Sequence, residues 1–395
     1  MGTVGSIRSP DLGFGKPGRT FPLLATAGTP SPTSPDILPR ACSPHPAILP
    51  TFSLLPSRLM PTAVINQPRC RVHLESERLI VSGPDPAGGT RTIELRHLPL
   101  RDLDRVIASE STQFTSQSIA ALLRREIPLT FLDHQGRFLG AFQPAINQHG
   151  QSRLHQYQRH LEAPFVLELA GRLTAAKIYN QRRVLQRIAA NRKTDLGAGL
   201  GRLEAMLRAA TRCQSVDELR GCEGAAAARY FEIWATFLPV EFPFERRSRR
   251  PPHNPVNACL SFGATLLYNE IAAFLHAHGL DPAPGLLHVT ENGRWSLALD
   301  LMEPFRPVLS EALALDCFSH QILQAKHFEP SHGGIYLNTE GRARFLLQYE
   351  RRMERQFMSE HVGHRTTLRQ QLEVQAVLFK SALDLPEKFQ PFLMN

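Results

Sequence analysis

The stretch GLLHVTENGRWSLALDLMEPFRP, residues 285–307, sets His288, Glu291, Asp300 and Glu303 between apolar neighbours. Two carboxylates and an imidazole make a mixed oxygen and nitrogen donor set. Such a set suits Mg2+ or Mn2+, and the imidazole tilts it towards Mn2+. Asp300 and Glu303 are three residues apart, so they share one face of a helix. Ser296 reads as the N-cap of that helix. Pro304 lacks a backbone N–H and predicts a bend. His288 sits on the short apolar segment before the turn-like TENGRW, from where it could fold back against the two acids. The competing reading is structural. Acids three apart on a helix are ordinarily solvated, and a lone histidine beside an apolar run is ordinarily a core or edge residue.

Two further places carry chemistry-bearing residues. In GCEGAAAARYF, Glu223 lies between Gly221 and Gly224, ahead of four alanines. Small residues allow another helix to approach closely, which would leave Glu223 partly buried and in need of a partner such as a metal. The alternative is a tightly packed helix with Glu223 at its solvent edge. In FERRSRRPPHNPVN, Arg246, Arg247, Arg249 and Arg250 form a basic knot before a helix that starts near Pro255. Guanidinium forks match phosphate, although the same pattern fits an exposed charged loop. The helix IYNQRRVLQRIAANRK adds a basic stripe with Lys177, Arg182, Arg183, Arg187, Arg192 and Lys193. The glycines of GAGLGR do not follow a strand and read as a loop entering a helix.

The elements that must position these residues change character along the chain. From about 68 to 145 the segments CRVHL, RLIVSG, RTIEL, PLTFLD and RFLGAF are short, β-rich and separated by turn residues. One helix, SQSIAALLRRE, interrupts them, capped by Thr115 or Ser116. After Asn147 five long segments show apolar residues at three and four spacing. Ser215 with Glu218 predicts a capping box, and Gly279 before Asp281-Pro282 predicts a helix end. The fold class is therefore α+β: a small β domain over 60–145, a linker over 146–155 and a larger all-helical domain over 156–395. Residues 1–59 are rich in Pro, Ser and Gly without sustained period. They predict a disordered tail, or an upstream start with Met60 as the natural first residue.

The chain has 395 residues, enough for two domains, with 42% hydrophobic residues and a formal charge of +9. The basic excess favours an anionic partner, nucleic acid first. The six cysteines show no C-x-x-C spacing, and their scatter fits a reducing cytosol. The longest apolar runs fall short of the roughly 20 residues of a membrane span.

The segments EGAAAARYF, RRPPHNPVNACLSFGATLL, GLDPAPGLLHV and SLALDLMEPFRP, in this order and spacing, resemble the CRISPR-associated spacer-acquisition endonuclease and integrase family (Cas-one). The resemblance runs from about residue 68 to the C-terminus. It implies that Glu223, His288 and Glu303 bind a divalent metal, Mg2+ or Mn2+, and that Asp300, one turn earlier, supports the site. Asn257 and Arg306 match positions of site support or DNA contact. The sequence departs from the family pattern at His253-Asn254, where an Asp usually precedes PVN, and at Ala264, where Tyr is common. The resemblance further implies a homodimer formed through the β domain. It implies double-stranded and repeat DNA as substrates, and a heterohexamer-type complex with a small Cas-two protein. The activity implied is insertion of captured DNA fragments into a CRISPR array by transesterification. Alternative readings are a metal-dependent nuclease for branched or repair DNA, a transposon-borne integrase of the same fold, and an inactive DNA-binding scaffold. The transposon relative would be expected to carry an extra DNA-binding domain, whereas this chain ends soon after its last helix.

Overall fold

The computed structural model describes residues 62–65, 69–85, 91–103, 105–133, 138–144, 150–359 and 363–394, all within one compact unit, Ser57–Asn395. The expectations for residues 1–59 and for Met60 lie outside the described residues.

Two four-stranded sheets open the fold. Strands β1 (Thr62–Ile65), β2 (Arg71–Glu75), β3 (Arg78–Pro84), β4 (Thr92–Pro99), β5 (Arg105–Ser109) and β6 (Gln113–Phe114) precede helix α1 (Ser116–Arg124). Strands β7 (Leu129–Leu132) and β8 (Phe138–Phe142) follow it. One sheet has the order β1-β5-β7-β8, parallel except for the β7–β8 pair. The other has the order β4-β3-β2-β6, antiparallel except for β2–β6. Val72, Leu79 and Val81 meet Val106, Leu122 and Leu129 in a common core. The helix between them begins where its cap dictates: Thr115 Oγ1 accepts the N–H of Ser118 at 3.3 Å.

Helices α2 (Gly150–His160), α3 (Ala163–Arg192), α4 (Gly197–Ala210), α5 (Val216–Ala235), α6 (Pro255–Ala277), α7 (Ser296–Met302) and α8 (Ala312–Ser319) build most of the remainder. The hairpin β9 (Phe328–Ser331) and β10 (Gly334–Leu337) leads to α9 (Thr339–Glu354). The hairpin β11 (Phe357–Ser359) and β12 (His364–Thr366) leads to α10 (Leu368–Ala382). The region is thus largely helical rather than all-helical. The first hairpin turns at His332 and Gly333, both at positive φ, as the tightest hairpin turns require.

Three local expectations are corrected. Helix α2 begins at Gly150, inside the stretch expected to be a linker. Its sequence GQSRLHQYQRH is too polar to show an apolar face; it docks instead through Gln156 and Tyr157 onto Asp281. The glycines of GAGLGR lie within α4 itself, with Gly199 packed closely beneath Ile233. At α5 the capping box is only half formed. Ser215 Oγ accepts from Glu218 N at 3.2 Å, but the Glu218 carboxylate turns to the N–H of Gln214 at 2.8 Å.

Helices α3 and α6 organise the core. Thirty residues long, α3 packs along α4 and α5 and against the turn that follows α7. Helix α6 is the one described helix long and apolar enough to cross a membrane, yet it is largely buried among its neighbours. Asn254 caps it, accepting from Asn257 N at 2.8 Å, and Pro255 supplies its first helical residue. Its buried positions join Tyr230, Trp234, Phe305, Phe318 and Phe345 in one core.

Candidate functional site

Glu223 projects from the middle of α5, seven residues before the fully buried Tyr230 that anchors the helix. Arg220, one turn earlier, donates from Nε to the carbonyl of Leu287 at 2.7 Å. This bond ties α5 to the segment that carries His288.

Residues 285–288 wrap around the carboxylate of Asp300. The Asp300 side chain is fully buried and accepts the backbone N–H groups of Leu286, Leu287 and His288. Its Oδ1 also lies 2.6 Å from His288 Nδ1. An imidazole whose Nδ1–H donates to a carboxylate keeps the lone pair of Nε2 for a ligand. Asp300 is thus a positioning residue for His288. The helix entry differs from expectation: Trp295 occupies the N-cap position without a side-chain cap bond, and Ser296 is the first residue of α7. The Ser296 hydroxyl donates instead to the carbonyl of Val289 at 2.7 Å, closing the TENGRW loop onto α7.

The chain bends after Met302, as Pro304 predicts. A 3-10 turn over Glu303–Phe305 runs into a wider π turn over Pro307–Glu311. Asn180 of α3 fixes this bend by donating to Pro304 O at 2.7 Å and to Phe392 O at 2.9 Å. The Phe305 and Phe392 rings stack beside it.

Glu303 is buried between two cations. Arg306 Nη1 donates to Glu303 Oε1 at 2.9 Å, and the Lys177 ammonium pairs with Oε2. The same ammonium donates to Glu223 Oε1. Burial pushes the Glu303 carboxyl up, but the charges of Arg306, Lys177 and His288 outweigh it and hold it well below the usual carboxylate range. Behind Arg306, burial keeps Glu311 above that range, with Arg306 and Lys177 offsetting part of the rise. The cationic character of Arg306 is itself reinforced: the penalty of burial is outweighed by Glu303 and Glu311.

The structure therefore brings Glu223 and Glu303 to a single point, and that point holds an ammonium. Among the described residues, no three His, Cys, Asp or Glu side chains form a ready-made metal cage. Glu223, partly buried, pairs with the Lys177 ammonium. The donor types still fit a divalent cation: two carboxylates from separate elements, and an imidazole aligned by Asp300. The sequence groups Lys177 with the basic stripe of its helix. The signal that separates it from that stripe is its register with Asn180 and Leu173 on the buried face of α3.

The arginine knot divides into two roles. Arg247 turns inward, donating to Asn257 Oδ1 at 2.8 Å and to Ser261 Oγ at 3.1 Å. Asn257 also accepts from Ser248 N at 2.9 Å and donates to Arg246 O at 3.0 Å. The buried Asn257 is a clamp for this loop, not a surface contact. Arg306, also buried, belongs to the ion cluster. Arg246, Arg249 and Arg250 are exposed. Arg249 lies near enough to Arg306, Glu303 and Glu223 to sense their charges. On α3, Arg187, Arg192 and Lys193 are exposed, while Arg182 pairs with Glu204 at 3.2 Å.

The model of the family described as CRISPR associated protein Cas1 matches residues 63–351. The chain belongs to the Cas1 family. It is 33% identical over 298 residues to CRISPR-associated endonuclease Cas1 3 of Thermus thermophilus, covering 75% of this chain and 88% of that protein. It is also 33% identical over 323 residues to a CRISPR-associated exonuclease Cas4/endonuclease Cas1 fusion of Geobacter sulfurreducens. That match covers 80% of this chain and 56% of the fusion, so the chain spans little more than half of that relative. Among solved structures, a Cas1 protein from Thermotoga maritima superposes with a TM-score of 0.68 at 23% identity, covering 84% of this chain and 99% of the other. A chain of a Cas6-RT-Cas1–Cas2 complex gives a TM-score of 0.69 at 28% identity, covering 85% of this chain and 36% of the other. The Cas1 fold, with β sheets first and a largely helical region after, is the arrangement described above.

Proposed function

We propose that this Cas1 protein is a metal-dependent DNA endonuclease and integrase that inserts captured DNA fragments into a CRISPR array. The observation that carries the reading is the convergence of Glu223 and Glu303 on one cationic point, beside a His288 aligned by Asp300. Glu223, His288 and Glu303 would hold Mg2+ or Mn2+. A bound divalent ion supplies Lewis acidity for a phosphoryl oxygen and lowers the energy of an attacking or leaving oxyanion.

The protein's own residues supply position and charge. In the exchange, a 3′-hydroxyl oxygen of the captured fragment bonds to a repeat phosphorus, and the bond from that phosphorus to its leaving 3′-oxygen breaks. The proton of the attacking hydroxyl is released and the leaving oxygen takes one up. No covalent enzyme intermediate is needed. Asp300 keeps the His288 ring in one orientation, and Arg306 keeps the Glu303 carboxylate ionised and directed. The exposed Arg246, Arg249 and Arg250 lie on the loop clamped by Asn257, where they can meet strand phosphates.

Partnership with a Cas2 protein is supported by the likeness to part of a chain from a Cas6-RT-Cas1–Cas2 complex. A homodimer through the β region, and a cytoplasmic site of action, belong to the same proposal. The test uses a repeat-containing plasmid, a short duplex with 3′-hydroxyl ends and Mn2+. Glu223→Ala and His288→Ala are expected to form no integration product while still unfolding in one cooperative transition, so that the loss is not one of folding. Full activity in either variant overturns the assignment. Cleavage of branched DNA by the wild type without any integration would favour a repair nuclease instead.

A further inference from the structure

We infer that Lys177 is a built-in rival of the divalent cation for the Glu223 and Glu303 carboxylates, so that metal enters this site only by displacing the ammonium from at least one of them. The inference rests on the assignment of these two carboxylates as metal ligands.

Lys177 lies on the inner face of α3, between Thr174 and Asn180, and is only 4% exposed. Its ammonium pairs with Glu223 Oε1 from α5 and with Glu303 Oε2 from the turn after α7. No water-facing position is available to so buried a side chain without a rotamer change. An unpaired ammonium there would be costly, and so would two carboxylates sharing a site without a counter-charge. Lys177 therefore keeps the two carboxylates together and directed at a common point.

A divalent cation needs the same oxygen atoms. With the ammonium still between them, it would meet a unit positive charge within a few ångströms in a poorly screened interior. Arg306 cannot take over the role of Lys177, because its guanidinium already holds the other oxygen of Glu303. The geometry thus sets metal affinity by exchange. The site keeps its shape when metal is scarce, and the ammonium lowers its hold on metal.

The test measures Mn2+ binding to the full chain by calorimetry, with melting temperatures in chelator and in excess Mn2+. Lys177→Met and Lys177→Gln remove the charge; Lys177→Arg keeps it. Rivalry predicts that the neutral variants bind Mn2+ about tenfold or more tightly than wild type. They should also melt lower in chelator and gain more from added Mn2+. Lys177→Gln retains hydrogen bonding to the carboxylates and serves if Lys177→Met does not fold. Lys177→Arg should bind Mn2+ about as weakly as wild type. Unchanged or weaker Mn2+ binding in a folded neutral variant overturns the rivalry while leaving the ligand assignment standing. Glu223→Gln separates the two claims: if it binds Mn2+ as tightly as wild type, the ligand assignment fails and the rivalry fails with it.

Discussion

His288 Nδ1 lies 2.6 Å from Asp300 Oδ1, and the same oxygen accepts the backbone N–H of His288 at 2.9 Å. One carboxylate therefore fixes both the ring and the backbone of the residue that bears it. Asp300→Asn is nearly the same shape but offers an N–H where an acceptor is needed. The expected result is a folded protein whose Mn2+ affinity falls by about 10–100-fold, read by calorimetry. Wild-type affinity in that variant would show that the ring is held by other means.

Gly285 guards the same segment from the other side. A Cβ there would collide with the His288 carbonyl oxygen and with Ser296 Cβ. Gly285→Ala must therefore shift the turn that carries His288. The expected cost is about 1–3 kcal/mol of stability, typical of forced overpacking, together with weaker metal binding. Urea unfolding checks the first and calorimetry the second.

Asn257 holds the arginine loop from below. Asn257→Ala removes the acceptor shared by Arg247 and Ser248 N and the donor to Arg246 O. The expected loss is about 1–3 kcal/mol, because buried polar groups lose their partners. Arg246→Ala and Arg250→Ala should leave stability near wild type. Each should lower the salt dependence of DNA binding by about one unit of slope in a log–log plot. Fluorescence anisotropy over a salt series distinguishes the clamp from the contacts.

How much of this was legible in the sequence depends on distance along the chain. The Thr115 cap and the Pro304 bend follow from residues within one turn of each other. Strand β5, RVIAS, was not singled out. It is short, begins with a charge, and owes its state to parallel pairing with β1 and β7, which no local pattern announces. Glu223, His288, Asp300 and Glu303 were selected because their types are unusual among apolar neighbours and match a family pattern. The local pattern places Lys177 only within a basic stripe and gives no sign of a partner on another helix. Its place against Glu223, 46 residues away, is set by how α3 packs on α5. The resemblance implies site support or DNA contact for Asn257; only the packing of the loop reveals that its groups are spent inside.

Acid stability offers a test of the second buried ion cluster. Arg369 bonds Glu270 and Glu350, and Arg105 lies 3.6 Å from Glu270. Burial pushes Glu270 up, but Arg369 and Arg105 outweigh it and hold the carboxyl below its ordinary 4.5. A carboxyl lowered in the folded state adds stability that is present above its unfolded value and lost as pH falls through the folded one. Glu350, raised by burial against the pull of Arg369, acts with the opposite sign. Its contribution is present below the ordinary value and lost as pH rises through the folded one. Glu270→Gln is expected to cost about 3–5 kcal/mol near neutrality, because it takes from the buried Arg105 its carboxylate partner and from Arg369 one of its three. The gap from wild type should narrow as pH falls below 4.5, since only the wild type loses this ionised carboxylate. Unfolding curves at neutral and acid pH decide it; a constant gap would contradict the assignment.

Arg105 leaves strand β5 and ends over the Phe274 ring, 4.1 Å from its centroid, beside Glu270 of α6. A charge grown on the sheet is thus lodged inside the helical region. Turning the sheet relative to the helices would drag that charge out of its cage of acids and aromatic carbon. One buried side chain thus makes the sheet and α6 share a single electrostatic cost of separation.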